Sequence, residues 1–200
     1  MSDPVILLLA AGRATRMRGA DKLLEPVPGP FGDQPLLQAM ARRCLRAGQT
    51  RVILGPDQPQ RAALLEGLEV EILEAPEGAG MAASIVTGVA GLRTPVLVVL
   101  SDMPDVSASD LHLLMALSAH DPSAILRAAS EDGAPGHPVL FPADLLPELG
   151  RLTGDTGARD VLSRHADRVH LVPLADDRAL TDLDTPEDWA AWRERTSGPT

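Results

Sequence analysis

The chain has 200 residues, 44% hydrophobic and 23% charged, with a formal net charge of −10. That acidic balance lacks the basic face of a general nucleic-acid binder, and aromatics at 2% with no Tyr leave no base-stacking platform. The single cysteine, Cys44, excludes an internal disulfide, and the apolar run VILLLAA (residues 5–11) is too short to span a bilayer. A soluble cytoplasmic protein with neither nucleic-acid nor membrane partners is expected.

Taken in chain order, the elements alternate. VILLLA (5–10) is a continuous apolar run ending in Ala-Gly, the pattern of a buried parallel strand. PLLQAMARRCLRAG (35–48) places Leu37, Met40, Ala41 and Cys44 on one helical face, with Gly48 as a stop. RVILG (51–55) reads as a strand, QRAALLEGL (60–68) as a helix and EVEIL (69–73) as a strand. GMAASIVTGVAGL (80–92) reads as a helix despite its glycines, and PVLVVL (95–100) is a second fully apolar strand. Ser107 is placed to cap a helix over 107–120, with Asp110 at its third position. AILRAA (124–129) reads as a strand, and GHPVLF (136–141) as a strand entered through a Gly-His-Pro turn. Short helices are expected over 142–150 and 155–166, and a strand over 168–174. A last helix starts at Thr185-Pro186, with Pro in its favoured first position.

This pattern predicts a three-layer α/β fold with a mainly parallel central sheet. One domain over 1–195 is expected, with a flexible tail at 196–200. In such sheets ligands lie beyond the carboxyl ends of the strands. That rule selects the loops after the two most apolar strands, which should be central neighbours.

The first of these loops, AAGRATRMRGADK, carries Arg13, Arg16, Arg18 and Lys22 against the single Asp21. Lys22 is the only lysine among 18 Lys+Arg residues. In an acidic chain, such a local basic excess suits an anion, and Gly12 and Gly19 permit close approach of backbone N–H groups. It is not a Walker A loop, because Leu23 follows the lysine, and no G-x-G-x-x-G is present. The second loop, SDMPDV, supplies Asp102, a carboxylate suited to a hard divalent cation that keeps water and phosphate as its other ligands. A basic loop facing one carboxylate is what phosphoryl-type transfer requires.

Each residue also has a plainer reading. Arg13 and Arg18 are equally consistent with solvated surface arginines, Asp102 with a turn residue, and Asp184 with a residue before a helix cap. Asp105 reads as structural. His112, His120, His165 and His170 have no ligand spacing. His137, flanked by Gly136 and Pro138, is better placed to aim its ring into a site.

Together the motifs resemble a known family. LLAAGRATRMRGADKLL is similar to the L-A-A-G-x-(S/T)-x-R-M-G…K signature of nucleotidyltransferases related to the molybdenum-cofactor cytidylyl- and guanylyltransferases. SDMPDV resembles their metal loop, and GAGMAASI, GHPVLF, GDTGARDVL and LDLDTPEDW resemble their later motifs, in order from residue 5 to about 192. The resemblance implies a Rossmann-like nucleotidyltransferase fold. It also implies a Mg²⁺-dependent reaction of a nucleoside triphosphate with a phosphorylated acceptor, releasing pyrophosphate. LAAG, GMAAS and GHP are closer to the cytidylyl branch, which implies CTP as donor and molybdopterin as acceptor, with a molybdoenzyme or its chaperone as a possible downstream partner.

By the same likeness, Leu9, Ala10, Ala11 and Gly12 lie along the nucleotide, with Arg13 in the same loop. Arg16 and Lys22 bind the triphosphate, and Gly80 and Ser84 lie near base or ribose. His137 faces the acceptor, Asp102 holds the metal, and Asp184 makes a further metal or nucleotide contact. Arg16, Lys22 and Asp102 form the catalytic set. The chain departs from the pattern at Arg18, where glycine is usual; Gly19 supplies it one residue later. An acceptor phosphate is largely deprotonated at neutral pH, its second pKa lying near ~6, so no general base is needed. Two alternatives stay open: a guanylyltransferase or other metabolite nucleotidyltransferase of the same fold, and a non-catalytic nucleotide-binding module that hands on a cofactor.

Overall fold

The computed structural model describes residues 3–13, 15–30, 32–77, 80–154 and 157–196. Gly78 and Ala79 of the GAGMAASI motif, Asp155 and Thr156 of GDTGARDVL, and the tail residues 197–200 lie outside the described residues. The elements are β1 (Val5–Leu9), 3₁₀ turns at Thr15–Met17 and Lys22–Leu24, β2 (Pro26–Val27), β3 (Gln34–Pro35), α1 (Leu36–Ala47), β4 (Thr50–Leu54), α2 (Pro59–Ala63), β5 (Glu71–Glu74) and α3 (Gly80–Val89). They continue with β6 (Val96–Leu100), α4 (Ala108–Ser118), β7 (Ile125–Ala129), β8 (Pro135–Phe141), α5 (Leu146–Leu149), α6 (Arg159–Arg164), β9 (Val169–Pro173) and α7 (Pro186–Thr196).

Seven strands form one sheet in the order β5-β4-β1-β6-β8-β7-β9. All neighbours are parallel except at β8, which runs antiparallel to both β6 and β7. The two fully apolar strands β1 and β6 are neighbours near the middle, in register from Val5↔Val96 to Leu9↔Leu100. Alternation along β1 divides the core. Ile6 and Leu8 pack with Leu37, Met40 and Cys44 of α1, Leu111 and Leu114 of α4, and Trp189 and Trp192 of α7. Leu7 and Leu9 pack with Ile85 and Val89 of α3, Leu146 and Leu149 of α5, and Val161 of α6. Helices thus cover both faces of a sheet whose central strands are buried on both sides, which is the three-layer α/β arrangement.

Local chemistry matches the sequence closely at the caps. Ser107 and Asp110 exchange hydrogen bonds in a full capping box at α4. At α7 the Thr185 hydroxyl accepts from Asp188 N at 3.1 Å, while the Asp188 carboxylate accepts from Thr185 N at 2.8 Å. Two expectations need correction, and one element is new. The helix expected over 60–68 is α2, which stops at Ala63; a turn ending at Gly67 (φ +77°) follows and drops Leu65 into the core. Gly136-His137-Pro138 is not a turn but part of β8, with a cis His137–Pro138 peptide. The chain is extended there because it lies against residue 179: His137 N donates to Ala179 O at 2.9 Å, and a Cβ on Gly136 would meet that same oxygen at 1.9 Å. The small antiparallel pair β2–β3 was not foreseen, being two residues per strand with a proline in each. No helix among the described residues is long and apolar enough to cross a membrane.

Candidate active site

Because β1 and β6 are parallel neighbours in register, the loops that follow them leave the same edge of the sheet side by side. Ser101 fastens them together at their roots, its N–H and hydroxyl both donating to Leu9 O, at 3.3 and 2.7 Å. A third segment joins from far along the chain. Leu183 N donates to Asp102 O at 3.0 Å, so Asp182, Leu183 and Asp184 lie directly on the second loop. The cap at Thr185 and Asp188 then fixes where this segment turns into α7.

These three segments converge on Lys22. Its Nζ donates to Asp102 Oδ2 at 2.5 Å and to Asp184 Oδ1 at 2.6 Å. The other oxygen of Asp184 accepts from Arg16 at 2.7 Å. Lys22 is only 9% exposed. Burial works to lower its pKa, but the charges and hydrogen bonds of Asp102 and Asp184 outweigh burial and raise it above the usual lysine value. The ammonium therefore stays charged at neutral pH. Asp182 lies nearby, and its pKa is raised by burial and by the neighbouring charges of Asp184 and Asp102.

The path of the first loop is set by a residue outside it. Arg61 of α2 is 3% exposed. Its guanidinium donates to Ala10 O at 2.5 Å and Gly12 O at 2.9 Å, and forms two bonds to the Asp21 carboxylate at 2.7 and 2.9 Å. Asp21 also caps the turn bearing Lys22, accepting from Leu23 N at 3.0 Å. Gln58 adds a bond to Ala11 O at 3.1 Å. The carbonyls of Leu9, Ala10, Ala11 and Gly12 thus all have protein partners. Ala10 N is also committed, to Ile53 O at 2.8 Å. A Cβ on Gly12 would meet nothing within 4 Å, so that stretch of main chain faces open space. The departure at Arg18 resolves into two left-handed residues in succession, Arg18 (φ +53°) and Gly19 (φ +100°). Arg18 pairs with Glu187 at 2.5 Å, and Arg13 pairs with Glu77; both pairs are exposed.

The remaining candidates are spread more widely. Gly80 is exposed at the start of α3, in the left-handed region (φ +65°). Ser84 lies one turn further in and is buried. His137 sits near the start of β8. Because β8 pairs antiparallel with β6 through Val98↔Val139, the start of β8 runs beside the end of β6 that leads to Asp102. Burial, with the nearby positive charge of Arg127, pushes the His137 pKa down to about 4 against a weaker opposing effect of Asp102, so the ring is neutral at pH 7. Its Nδ1 is buried without a hydrogen-bond partner among the described residues. Asp105 serves the fold, accepting from Trp192 Nε1 at 2.8 Å and from Arg195 at 3.0 Å.

A divalent cation fits the carboxylates. Asp102 and Asp184 direct oxygens at one point, which Lys22 Nζ occupies, and Asp102 Oδ1 is buried with no partner among the described residues. Among the described residues no group of three His, Cys, Asp or Glu side chains forms an all-protein metal cage. Two hard oxygen donors with room for water and phosphate is a pattern that suits a magnesium-type ion rather than zinc. Sequence reasoning missed Arg61, Gln58 and Asp182. The first two act across 40 to 51 residues and carry no local signature. Asp182 stands two residues before Asp184 in TDLDTPEDW, and that doubled acid was the available signal.

A basic loop, two convergent carboxylates and a three-layer fold around a mainly parallel sheet define a protein of the nucleotide-handling α/β class. The MobA-like NTP transferase domain model matches residues 6–169. The chain belongs to that family and is a nucleotidyltransferase. No curated protein sequence matches it. Among solved structures it is similar to Rv0371c from Mycobacterium tuberculosis H37Rv, at 26% identity and TM-score 0.82, covering 96% of this chain and 99% of that one. The Rv0371c protein also has a structure in complex with manganese. A nucleotidyl transferase from Methanothermobacter thermautotroptrophicus, Mth528, shares the fold at 24% identity and TM-score 0.78, covering 98% of each chain. A CMP:2-keto-3-deoxy-manno-octonic acid synthetase complexed with CTP shares it at 14% identity and TM-score 0.75, covering 98% of this chain and 99% of that one.

Proposed function

We propose that this nucleotidyltransferase uses CTP and Mg²⁺ to cytidylylate a phosphorylated small-molecule acceptor of the molybdopterin type in the cytoplasm. The observation that carries the reading is the placement of Lys22. The chain's only lysine bridges Asp102 and Asp184 at the end of a loop whose carbonyls are already bonded. The fold it shares with a synthetase complexed with CTP, and a manganese complex of Rv0371c, support a nucleotide donor and a divalent cation.

In this reading Asp102 and Asp184 hold the cation. The cation, when bound, supplies Lewis-acid neutralisation of phosphate charge. Lys22 is a compact charge on a flexible stem with three donors. It can turn from the carboxylates to a phosphate oxygen and follow it as the leaving group separates. Arg16, exposed except at Asp184, reaches the outer phosphates. Leu9 and Ala10 fix the loop, while Ala11, Gly12 and Arg13 present it to the nucleotide; Gly80 and Ser84 flank the base and ribose. An acceptor phosphate oxygen attacks the α-phosphorus, the bond to the β-phosphate oxygen breaks, and pyrophosphate leaves with that electron pair. His137 stays neutral beside the acceptor, and no general base is required. The product's place is delivery to a molybdoenzyme or its chaperone.

The test is pyrophosphate release by purified protein with Mg²⁺, molybdopterin and each of CTP, GTP, UTP and ATP. Release with CTP is expected. Equal turnover with GTP overturns the cytidylyl assignment, and tight CTP binding without pyrophosphate in a single-turnover assay favours a non-catalytic carrier.

A further inference from the structure

The site described so far is one-sided. Its cations and carboxylates come from the loops after β1 and β6 and from the segment before α7, which serve the nucleotide. On the other side of Asp102 the sheet continues through β8 to β7. His137 is on β8 and Arg127 on β7. Arg127 is opposite Val139 in register and shares its face of the sheet; past Val139 the β7–β8 register shifts, and His137 lies in that irregular stretch, near enough to Arg127 for its positive charge to act on the ring. The face of Val139 is also the one on which Ile125, Val139 and Val161 of α6 pack together. Arg159 is the first residue of α6, and its charge reaches Arg127.

Arg127 is held in place through its own neighbours. Its Nε donates to Gly136 O at 3.0 Å, and a terminal nitrogen to Pro135 O at 3.3 Å, the two carbonyls just before His137. The guanidinium is thereby oriented without being neutralised. Ten arginines of this acidic chain are ion-paired, but neither Arg127 nor Arg159 has a carboxylate partner among the described residues. Burial depresses the pKa of Arg127, and the like charge of Arg159 adds to that effect. Two mutually repelling guanidiniums, beside a neutral imidazole with a bare buried nitrogen, form a surface that an anion would relieve.

We propose that Arg127 and Arg159, together with the free Nδ1 of His137, form the binding site for the acceptor's phosphate group, across Asp102 from the nucleotide loop. The ligand class is a phosphate monoester. Guanidinium forks match its oxygens in pairs. The strand order places β8 and β7 across β6 from the loop that carries Lys22. This assignment rests on the transfer reaction proposed above for its meaning, but the anion site itself does not.

Phenyl phosphate serves as probe, followed through the ¹⁵N-resolved arginine Nε–H signals, with CTP·Mg²⁺ affinity measured separately by calorimetry. Phenyl phosphate should shift the Arg127 and Arg159 signals. R127Q and R159Q should each weaken its binding about tenfold, the scale of one charge-assisted contact, while CTP affinity stays within about twofold. Arg159 is exposed, so R159Q tests the site even if R127Q fails to fold. Binding of phenyl phosphate unchanged in R159Q, or no binding by the wild type, overturns the site. A parallel fall in CTP affinity also overturns it by placing the pair on the nucleotide. A wild type that binds phenyl phosphate through these arginines but binds no nucleoside triphosphate overturns the proposed function and leaves the anion site standing.

Discussion

The loops after β1 and β6 leave neighbouring strands, and one arginine from an adjoining helix holds the main chain of each. Arg61 donates to Ala10 O and Gly12 O; Arg43 of α1 donates to Pro104 O at 2.5 Å and Val106 O at 3.0 Å. The two differ in how their charge is met. Arg61 is almost fully buried and paired at both terminal nitrogens and Nε, with Asp21 taking two of the bonds. Arg43 has no carboxylate contact among the described residues, and burial, with the charge of Arg46, depresses its pKa. The longer, more basic loop is thus held by a compensated ion pair, and the short SDMPDV loop by an uncompensated donor. Since Asp21 adjoins Lys22, the first arrangement also fixes the residue proposed to meet the phosphates.

The comparison breaks most sharply at Arg61. Arg61→Met leaves the Asp21 carboxylate without its partner and frees two carbonyls, a loss of about 3–5 kcal/mol on the scale of broken buried pairs. Urea unfolding measures it. In a cycle with Asp21→Asn, the double variant should lose less than the sum of the singles, because the partners act as a unit. Additive losses would mean that the carbonyl bonds alone hold the loop.

Next in size are the side chains the two loops deliver. Lys22→Ala and Asp102→Ala should each lower turnover by ~10²-fold or more, the effect of removing one transition-state charge stabiliser. Circular dichroism should stay near wild type, since neither side chain belongs to the apolar core. A variant with near wild-type pyrophosphate release would remove that residue from the chemistry. Smaller again is Arg43→Met, expected to cost ~2 kcal/mol by loss of charge-assisted bonds that water can partly replace. A cost equal to that of Arg61→Met would show that charge compensation does not distinguish the loops.

Much of this was legible in the sequence because it depends on local or periodic chemistry. The unbroken apolar runs marked β1 and β6 as central strands, and Ser107 and Thr185 announced their helices. The loop chemistry selected Arg16, Lys22 and Asp102, and the structure brings those three together with Asp184. What was hidden depends on contacts distant in sequence. Nothing in QPQRAALL distinguishes Arg61 from a solvated arginine until α2 is packed beneath Ala10 and Asp21. Gly136 reads as a turn residue until the carbonyl of Ala179 is found where its Cβ would be. The closeness of Arg127 to His137 follows from β8 inserting between β6 and β7, a strand order that periodicity does not encode.

The smallest effect separates the two halves of the cleft by pH. On the side proposed for the nucleotide, Lys22 has a raised pKa, so its contribution is fully present below the ordinary lysine value of 10.5 and is lost only as alkaline pH passes the folded value. On the side proposed for the acceptor, His137 titrates at about 4 when folded against 6.5 ordinarily. A depressed histidine pKa means that the unfolded chain binds the proton first. Stability from the neutral ring is therefore complete above pH 6.5 and declines as pH falls toward 4. A full shift of this size would correspond to roughly 3 kcal/mol, and water reaching the partly open ring should reduce it to ~1–2 kcal/mol. Carboxylates titrate over the same range, so the His137→Asn difference isolates the ring. The melting temperature of the variant should fall less between pH 7 and pH 4.5 than that of the wild type. Parallel pH profiles would mean that the imidazole is already solvated, and the two sides of Asp102 would then be equally wet.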